Sequence, residues 1–583
     1  MERKTLGLLS FGIIIFVLYA FGVDIFVSVW SFPSSRSVPI MVIALVGTGI
    51  FATIKLGFPQ IKYIRHGINV TRGIYDNPED EGDLNHFRAL TTALSATVGI
   101  GNIAGVATAI YYGGPGALFW MWVTAFFGTT LKYAECTLAL KYREMDAMGL
   151  TAGGPMYTIE HGLGKNWRWM AAAFASFAVI CSFATGNAIQ SFTVSDQIYS
   201  EVENIIEETY TDSNGNGIFD SEPFRDANDD GIIQYGEYQD INNNGQFDSE
   251  PFDDKNENGI RDDKTNHPLI LKHQISENYG VSILQILTGI LMSIIVGIVI
   301  IGGIKRIGTI TGFLAPIMAI IYIISASIII IFHFDAIPES LGMIISMAFN
   351  PPATIAGTGG GIMLTIIWGI KRGLYSNEAG QGSAAIAHST AKTNYPIREG
   401  AVAMLGPYID TLIICTMTGL VIISTGAWKH TQFYVNITAP TVEAAKFAIE
   451  NKVYNGMELY NASLLTSFAF DQGLSFIFGF GDKIVTISVL LFAISTAIAW
   501  SFYGNRAAVY LFGEKAITPY LWIYVFFVFI GGIAKLEAVW DFGDAALGIM
   551  TFPNLISIVL LTGVLKRMTK DYFSIEHENF RDR

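Results

Sequence analysis

The sequence predicts an all-α polytopic membrane protein with about eleven transmembrane spans and one large loop inserted between two of them. Of its 583 residues, 51% are hydrophobic and only 15% are charged, where an average soluble domain carries about 25% charged residues. Apolar runs of about 20 residues, which as helices cross a hydrocarbon core of ~30 Å, recur along the chain. One acidic stretch interrupts them. This pattern excludes an ordinary soluble enzyme.

The predicted spans alternate in direction across the bilayer. They lie at 38–57, 90–112, 117–140, 170–195, 279–302, 310–332, 353–390, 402–426, 482–505, 518–537 and 546–565. In the connecting loops and the tail, nineteen Lys and Arg residues fall on one side of the membrane and five on the other. Basic loops remain cytoplasmic, so the first side and the C-terminus are predicted inside. The expected location is the plasma (inner) membrane.

The N-terminus has the features of a membrane-targeting segment. Residues 1–22 combine two basic residues with an apolar run, which fits either a cleaved signal peptide or a retained signal anchor. The piece Val23–Trp30 is predicted to be an interfacial helix. The transmembrane domain comprises 23–196 and 279–583. The three cysteines, Cys136, Cys181 and Cys415, lie in apolar runs and are predicted to be small core residues.

The formal net charge of −14 is concentrated in residues 201–266. That segment contains 19 acidic and four basic residues, a net charge of −15, so the rest of the chain sums to +1. Charges are expensive inside a bilayer, and the alternation of spans places this loop on the extracytoplasmic side. The acidity therefore describes the insertion and not the membrane body.

A calcium-type repeat fills the insertion. Four copies of Asp-x-Asn-x-[Asn/Asp]-Gly start 14 residues apart; Ca²⁺ prefers six to eight oxygen ligands, and the Gly permits the sharp turn. The predicted ligands are Asp212, Asn214, Asn216, Asp220, Glu222, Asp226, Asn228, Asp230, Glu237, Asp240, Asn242, Asn244, Asp248, Glu250, Asp254, Asn256, Asn258 and Asp262. The stretch resembles tandem calcium-binding repeats of the thrombospondin type 3 or dockerin kind. The alternative is a solvated acidic linker.

Two predicted spans carry signs of a broken helix. The run Ser95–Asn102 places two glycines and several polar side chains at mid-membrane depth. Interrupted backbone is tolerated there only where it lines a cavity or contacts a ligand. Close helix packing by small residues is the alternative, but Asn102 is too polar for a packing seam.

The second interruption is predicted within 371–383. Ionisable groups at membrane depth are functional or paired by default, and the structural interpretation is that Glu378 compensates Lys371 or Arg372. Two further spans carry polar clusters. One contains Ser495, Thr496 and Trp500, and the other Asn187 and Gln190.

These segments carry a family resemblance. Residues 97–102, GGPGALFWMW at 113–122, GNAIQ at 186–190, RGLYSNEAGQGSAAIAH at 372–388, STAIAWSFYG at 495–504 and PNL at 553–555 resemble the signature stretches of the alanine/glycine:cation (sodium:alanine) symporters. The similarity extends over nearly the whole chain from about residue 38. It implies a LeuT-like fold of five-plus-five inverted repeats, with span 38–57 as an extra N-terminal helix. The derived topology agrees, because the first and sixth of the ten following spans are the interrupted ones.

The resemblance also implies the binding residues. Na⁺ is expected between the Ser95 and Val98 carbonyls and the Ser495 and Thr496 hydroxyls. A small neutral amino acid, alanine or glycine, is expected to contact Thr97, Gly99, Gly101, Asn102, Gln190, Ser376, Asn377 and Trp500. Helix N-termini favour anions, so the amides that follow the first break are expected to bind the substrate carboxylate. Trp500 would limit the substrate side chain to about methyl size; its alternative is a lipid-facing position.

Two other functions remain open at this stage. A cation channel would use similar polar breaks, and a membrane-anchored extracellular calcium receptor or adhesion protein would place its function in 201–266. Catalysis is not predicted, because the histidines show no metal-ligand or triad spacing. The expected cofactors are Na⁺ and Ca²⁺, and the expected partners are the amino acid and the lipid bilayer, without nucleic acid. Oligomeric state and the choice between sodium and proton coupling stay open.

Overall fold

The computed structural model describes residues 40–146, 149–206, 270–276, 279–352, 357–460, 464–475, 480–534, 536–577 and 579. The predicted signal segment 1–22, the helix predicted at Val23–Trp30 and all predicted calcium ligands lie outside these residues. The chain divides into two compact units. One comprises residues up to 194 and from 289 onward, and the other comprises 195–288.

Seven helices of the described residues are long and apolar enough to cross a membrane, and a bent pair makes an eighth. They are Lys165–Glu203, Ile283–Ile300, Gly303–Phe332, Pro396–Ser424, Gly481–Phe512, Glu514–Gly532 and Ala546–Phe573, with the bent pair His86–Thr97 and Ile100–Gly113. The other three predicted spans hold the helices Ile40–Leu56, Ala117–Lys141 and Gly357–Asn377. The first of these has only 17 residues, and the other two carry ionisable residues within them.

Shorter elements connect these helices. In the larger unit they include Pro59–Lys62, Ile64–Thr71, Pro155–Tyr157, Ile337–Phe349, Gln432–Thr438, Val442–Glu450 and Leu465–Leu474, with the two-residue strand pairs Glu144–Met145 with Thr151–Ala152 and Val453–Tyr454 with Met457–Glu458. Stretches of π-helix at Ala184–Ala188 and Tyr408–Cys415 interrupt longer helices, and a third at Thr158–Leu163 continues the short helix Pro155–Tyr157. Such bulges occur frequently at functional sites.

The smaller unit contains a β-hairpin. Its strands Lys272–Ser276 and Tyr279–Ser282 are antiparallel, with Lys272 opposite Ser282. The Lys272 ammonium lies 4.5 Å from the centre of the Tyr199 ring, and the Tyr199 hydroxyl donates to the Ile270 carbonyl at 3.1 Å. These contacts tie the helix that ends at Ile206 to the chain that returns at residue 270.

The first broken helix consists of His86–Thr97 and Ala104–Gly113 with a 3-10 turn at Ile100–Asn102 between them. The axis bends by 62° at the break. Gly99 is extended, and its N–H donates to Asn102 Oδ1 at 2.9 Å. The break lies where the sequence predicts it. The Asn102 side chain stabilises it, because its oxygen satisfies an amide that the interrupted helix leaves free.

The second broken helix consists of Gly357–Asn377 and Ser383–His388. Three residues between the halves have left-handed backbone, Glu378 at φ 51°, Gly380 at φ 80° and Gly382 at φ 86°. Glycine adopts this conformation without a Cβ penalty, whereas Glu378 is strained, as residues at functional sites often are. The Gln381 side-chain amide donates to the Leu374 carbonyl at 2.9 Å and closes the turn.

Burial separates the core helices from the lipid-facing ones. In Gly481–Phe512, 67% of the apolar window is buried, against 28% in Gly303–Phe332. Large apolar side chains such as Phe313, Ile324 and Ile331 are exposed on the latter helix, as expected for a surface covered by lipid. The helix Gly481–Phe512 lies in the core, where it contacts both broken helices.

Candidate functional site

The two helix breaks meet. Asn102 of the first break donates from Nδ2 to Ser376 Oγ, at the end of the first half of the second broken helix, over 3.1 Å. A Cβ at Gly101 would lie 3.5 Å from the Ser376 Cα, so the backbones approach closely at this point. Both polar side chains are buried. Three predicted substrate residues, Gly101, Asn102 and Ser376, therefore lie together.

A buried carboxylate that the sequence analysis did not single out completes this junction. Asp410 lies in the π-helical stretch Tyr408–Cys415. Its Oδ1 accepts from Asn102 Nδ2 at 2.6 Å, and its Oδ2 accepts from the Ser376 and Thr411 hydroxyls, each at 2.6 Å. An ionisable residue inside the predicted span 402–426 was the signal that could have found it.

Three of the four predicted sodium residues lie together. The Ser95 carbonyl accepts from Ser495 Oγ at 3.3 Å and from Thr496 Oγ1 at 3.0 Å. The fourth residue, Val98, caps the first half-helix with its N–H on the Leu94 carbonyl, and all four residues are buried. Neutral carbonyl and hydroxyl oxygens are hard ligands of the kind that alkali cations take.

Glycine allows this group to approach the break. A Cβ at Gly99 would lie 2.7 Å from Thr496 Oγ1, which is too close for any side chain at that position. Of the remaining predicted substrate residues at the breaks, Thr97 donates its hydroxyl to the Ala93 carbonyl at 3.2 Å. Asn377 donates to Thr411 Oγ1 at 3.2 Å and accepts from the Ala379 N–H at 3.0 Å.

Trp500 is buried between the second break and a third helix. Its Nε1 donates to Glu378 Oε1 at 3.1 Å, and a Cβ at Gly186 would lie 2.3 Å from the Trp500 Cβ. Only 1% of Trp500 is exposed, which excludes the lipid-facing alternative. The other Glu378 oxygen accepts from Ser383 at 2.5 Å.

The structural interpretation of Glu378 is wrong. Its carboxylate is hydrogen-bonded to Ser383 and Trp500 and does not pair with Lys371 or Arg372. The ammonium of Lys371 and the guanidinium of Arg372 lie 5.5 and 5.4 Å from the centre of the Trp368 ring. Glu378 directly follows the helix Gly357–Asn377 and has left-handed backbone at φ 51°, so its side chain does not continue the helical spacing from Lys371 and Arg372.

Gln190 and Asn187 donate hydrogen bonds to main-chain carbonyls outside the two broken helices. Gln190 donates from Nε2 to the Thr185 carbonyl at 3.2 Å, and its buried Oε1 has no hydrogen-bond partner in the described part of the chain. Asn187 donates to the Tyr524 carbonyl at 2.8 Å. In the described residues no hydrogen bond joins Gln190 to either broken helix, and its buried oxygen is a free acceptor.

Residues that the sequence analysis did not single out support the second break. Glu135 Oε2 accepts from the Gly382 N–H at 3.0 Å and from Asn554 Nδ2 at 2.7 Å. Asn554 also donates to the Gly380 carbonyl at 2.9 Å. The Lys132 ammonium lies 3.8 Å from Glu135 Oε1. Asn554 belongs to the PNL stretch at 553–555, whereas nothing local in the sequence marked Lys132 and Glu135 apart from their charge within a span.

Two histidines share one buried carboxylate. His86 Nδ1 and His388 Nδ1 are hydrogen-bonded to the two oxygens of Glu399, and His86 Nε2 lies 3.9 Å from Asp76 Oδ1. Burial raises the pKa of Asp76. The sequence spacing gave no sign of this group, because its members come from four separate segments. Within the described ranges no group of three or more metal-ligating residues is arranged to hold a metal ion.

Comparison with known proteins agrees with the resemblance. A profile of the sodium:alanine symporter family matches residues 25–211 and 270–582. The match begins before the predicted residue 38 and leaves out 212–269. A protein of Methanococcus maripaludis named sodium/alanine symporter AgcS is 36% identical over 542 residues, 92% of this chain and 95% of the relative. From Bacillus subtilis, the transporter YflA is 30% identical over 93% of both chains, and the putative sodium/proton-dependent alanine carrier YrbD is 30% identical over 92% and 90%.

Proposed function

Because the chain belongs to the sodium:alanine symporter family, we propose that it imports a small neutral amino acid, alanine or glycine, by sodium-coupled alternating access. The family is one of transporters, so the chain is a multi-pass membrane transporter and not an enzyme.

One observation carries the proposal. Two interrupted helices, placed five spans apart in the predicted topology, meet at the hydrogen bond between Asn102 and Ser376. Interrupted helices that meet near the middle of a membrane provide free amides and carbonyls for a substrate. A channel would not require two such breaks related by an inverted repeat.

Sodium binds at the first break. The Ser95 carbonyl supplies one oxygen, and the hydroxyls of Ser495 and Thr496, which lie within 3.3 Å of that carbonyl, supply two more. We assign the Val98 carbonyl as the fourth ligand, since Val98 ends the first half-helix and its carbonyl is not used by a continuing helix.

The amino acid binds next to the sodium ion. The amides that follow Gly99, beginning at Gly101, bind the substrate carboxylate, since helix N-termini favour anions. The Gly99 N–H itself is held by Asn102 Oδ1. Oxygens at Ser376 and Asn377 and the unpartnered Gln190 Oε1 accept from the ammonium. Trp500, held by Glu378 and Gly186, limits the substrate side chain to about a methyl group.

Coupling arises because sodium and the amino acid both bind to the first broken helix. Sodium binding orders Ser95–Val98, which lead into the amides that hold the substrate carboxylate. Each ligand therefore raises the affinity for the other by the same factor.

The topology extends the proposal. We assign eleven spans, with span 38–57 preceding a five-plus-five inverted repeat, to the plasma membrane, with the C-terminus in the cytoplasm. The helices Ile40–Leu56, Ala117–Lys141 and Gly357–Asn377 supply the three spans beyond the eight apolar ones.

The acidic insertion is proposed to bind calcium outside the membrane. The family match leaves out 212–269, a range that contains all four in-phase repeats. Oxygen ligands at positions 1, 3 and 5 before a glycine suit Ca²⁺. The ion would order the loop and offset part of its charge of −15.

Uptake into vesicles tests the proposal. Purified protein in liposomes should accumulate radiolabelled alanine when external Na⁺ is present and lose this accumulation when choline replaces Na⁺. A panel of glycine, L- and D-alanine, serine and glutamine defines the substrate. Equal uptake in sodium and choline would refute sodium coupling, and unitary currents without saturable uptake would favour a channel.

A further inference from the structure

We propose that Tyr524 determines how large a substrate side chain the site accepts. It lies on the helix Glu514–Gly532, which contributes none of the predicted substrate residues. The inference rests on the proposed uptake of a small neutral amino acid whose size is limited by Trp500. Tyr524 acts as a positioning residue, because its hydroxyl bonds to the two backbone segments that hold Trp500.

The Tyr524 hydroxyl joins two other helices. It donates to the Ala497 carbonyl at 2.7 Å and also points to the Gly186 carbonyl at 3.2 Å. A hydroxyl carries a single hydrogen, so the shorter contact is the main bond and the longer one shares it. The exposed fraction of Tyr524 is 0%, and water therefore does not compete with these contacts.

Gly186 lies in the π-helical stretch Ala184–Ala188. Bulges of this kind occur frequently at functional sites. The bulge brings its backbone against Trp500, since a Cβ at Gly186 would lie 2.3 Å from the Trp500 Cβ. It also provides the Thr185 carbonyl that accepts from Gln190 Nε2 at 3.2 Å. The bulge therefore positions two residues proposed to contact the substrate.

Ala497 belongs to the turn of helix that carries Trp500. Both lie in the helix Gly481–Phe512, and residues three apart are neighbours on a helix surface. A hydrogen bond to the Ala497 carbonyl thus holds the turn on which the Trp500 ring is mounted. Together with the contact to Gly186, it sets the separation between the bulge and this turn.

The helix that carries Tyr524 is itself fixed to the bulge. Asn187 Nδ2 donates to the Tyr524 main-chain carbonyl at 2.8 Å. A Cβ at Gly531 would lie 2.5 Å from the Ala188 Cα, so the two backbones are in direct contact. The hydroxyl therefore projects from a backbone that other contacts hold in place, and it can be removed without removing those contacts.

Loss of the hydroxyl should loosen the wall at Trp500. The Ala497 and Gly186 carbonyls lose the partner that they share, and the Trp500 turn can then move away from the bulge. A substrate side chain larger than methyl would fit into the space that this movement provides. One methylene group in a close-fitting apolar pocket changes kcat/KM by about 10- to 200-fold, so even a small movement alters substrate preference measurably.

The variant Tyr524→Phe tests the inference, because it removes only the hydroxyl. Sodium-dependent uptake of alanine and of 2-aminobutyrate, which is one methylene larger, gives kcat and KM in proteoliposomes. The wild type should prefer alanine in kcat/KM by about tenfold or more. In Tyr524→Phe this preference should fall by about three- to tenfold, the effect of one hydrogen bond, and the change should appear in KM more than in kcat.

Tyr520→Phe is the matched control. Tyr520 is a buried tyrosine one turn away on the same helix, and its hydroxyl is hydrogen-bonded to Ser182 Oγ at 2.8 Å instead of to the bulge. Its preference for alanine should equal that of the wild type. Displacement of radiolabelled alanine by 2-aminobutyrate from purified protein gives the same comparison if Tyr524→Phe binds substrate but does not transport it.

Other outcomes overturn the inference. Reduced uptake of both amino acids in Tyr524→Phe, at an unchanged preference, would show that the hydroxyl supports only the fold. An equal loss of preference in Tyr520→Phe would assign the effect to general packing of this helix. Either result leaves sodium-dependent alanine uptake intact. Absence of that uptake in the wild type, or equal uptake of the two amino acids by it, rejects the proposed function or its size limit at Trp500.

Discussion

Asn102 uses its whole amide group to hold three elements together. Its Oδ1 accepts from the Gly99 N–H, its Nδ2 donates to Ser376 and Asp410, and its main-chain carbonyl accepts from Thr418 Oγ1 at 2.8 Å. Leu or Ala could not replace the side-chain contacts. One residue thus shapes the first break and ties it to the second.

We expect Asn102→Ala to abolish sodium-dependent alanine uptake. The change removes the buried partner of the Gly99 amide and of Asp410 Oδ1, and each such loss costs about 1–3 kcal/mol. Uptake in proteoliposomes and the unfolding temperature measure the two effects. Asn451→Ala is the control, because Asn451 is exposed and bonds only to the Phe447 carbonyl; uptake at wild-type level in Asn102→Ala would contradict the assigned role.

At two positions, the absence of a side chain on glycine allows the site residues to approach the backbone closely. At Gly186 a Cβ would meet Trp500, and at Gly99 a Cβ would meet Thr496. Both positions therefore set the distance between a helix break or π-bulge and the helix Gly481–Phe512. The sequence identifies these glycines, but it does not show which side chain packs against each of them.

At the scale of elements, the ends of both broken helices are joined through one carboxylate away from the breaks. His86 begins the first half of one broken helix, His388 ends the second half of the other, and Glu399 bridges them from the helix Pro396–Ala403. Hydrogen bonds to charged groups contribute about 1.5–3 kcal/mol each. In the predicted topology this bridge lies on the cytoplasmic side.

A second cluster packs the C-terminal segment against the helix Ile64–Thr71. His66 Nε2 is 2.9 Å from the Tyr572 hydroxyl, and the His577 and Tyr572 rings stack at 3.8 Å. Burial, with the nearby His577 and Arg398, lowers the pKa of His66 from 6.5 to about 4. The folded protein therefore keeps His66 neutral where the unfolded chain protonates it.

We expect stability to fall as the pH decreases from about 6.5 to about 4. Over that range the unfolded state binds a proton at His66 that the folded state excludes, and the contribution is present in full above pH 6.5. Thermal unfolding in detergent across this range measures the effect. The His66→Gln variant should show a shallower decrease; identical pH profiles for the two proteins would reject His66 as the cause.

The breaks themselves were predictable because their signals are local. Gly99, Gly101 and Asn102 stand within four residues, and Gly380 and Gly382 stand within three, so the loss of helix is visible in the sequence. The distant residues that form hydrogen bonds to these breaks could not be predicted. Glu135 is 247 residues from Gly382, and Asp410 is 308 residues from Asn102, and no local pattern encodes contacts at such separation.

At the scale of the whole molecule, the charge divides between a nearly neutral membrane body and an acidic insertion. Residues 201–266 carry −15, and the remainder carries +1. The family match covers the chain on both sides of 212–269. A low sequence pI therefore describes the insertion and has no bearing on the substrate.

We expect removal of 212–269, replaced by a short Gly/Ser linker, to leave sodium-dependent alanine uptake in place and to abolish calcium binding. The predicted ligands all lie within the removed segment, whereas the helix breaks lie outside it. Binding of ⁴⁵Ca²⁺ and alanine uptake measure the two properties, with chelator-treated wild type as the control. Loss of uptake in the shortened protein, without loss of folding, would favour a receptor-like role for the insertion.

Sequence alone determined the class of the protein, most of its apolar spans, the position of both helix breaks and the location of its charge. Each of these depends on residues that are close in the chain, through apolar length, glycine content or local charge. Only the tertiary structure decided which groups meet at the breaks. It brought Asp410 to Asn102 and Ser376, gave Glu399 two histidines, and turned Glu378 toward Trp500. These contacts arise where separate helices cross, and burial then makes each polar group take the partner that the crossing supplies.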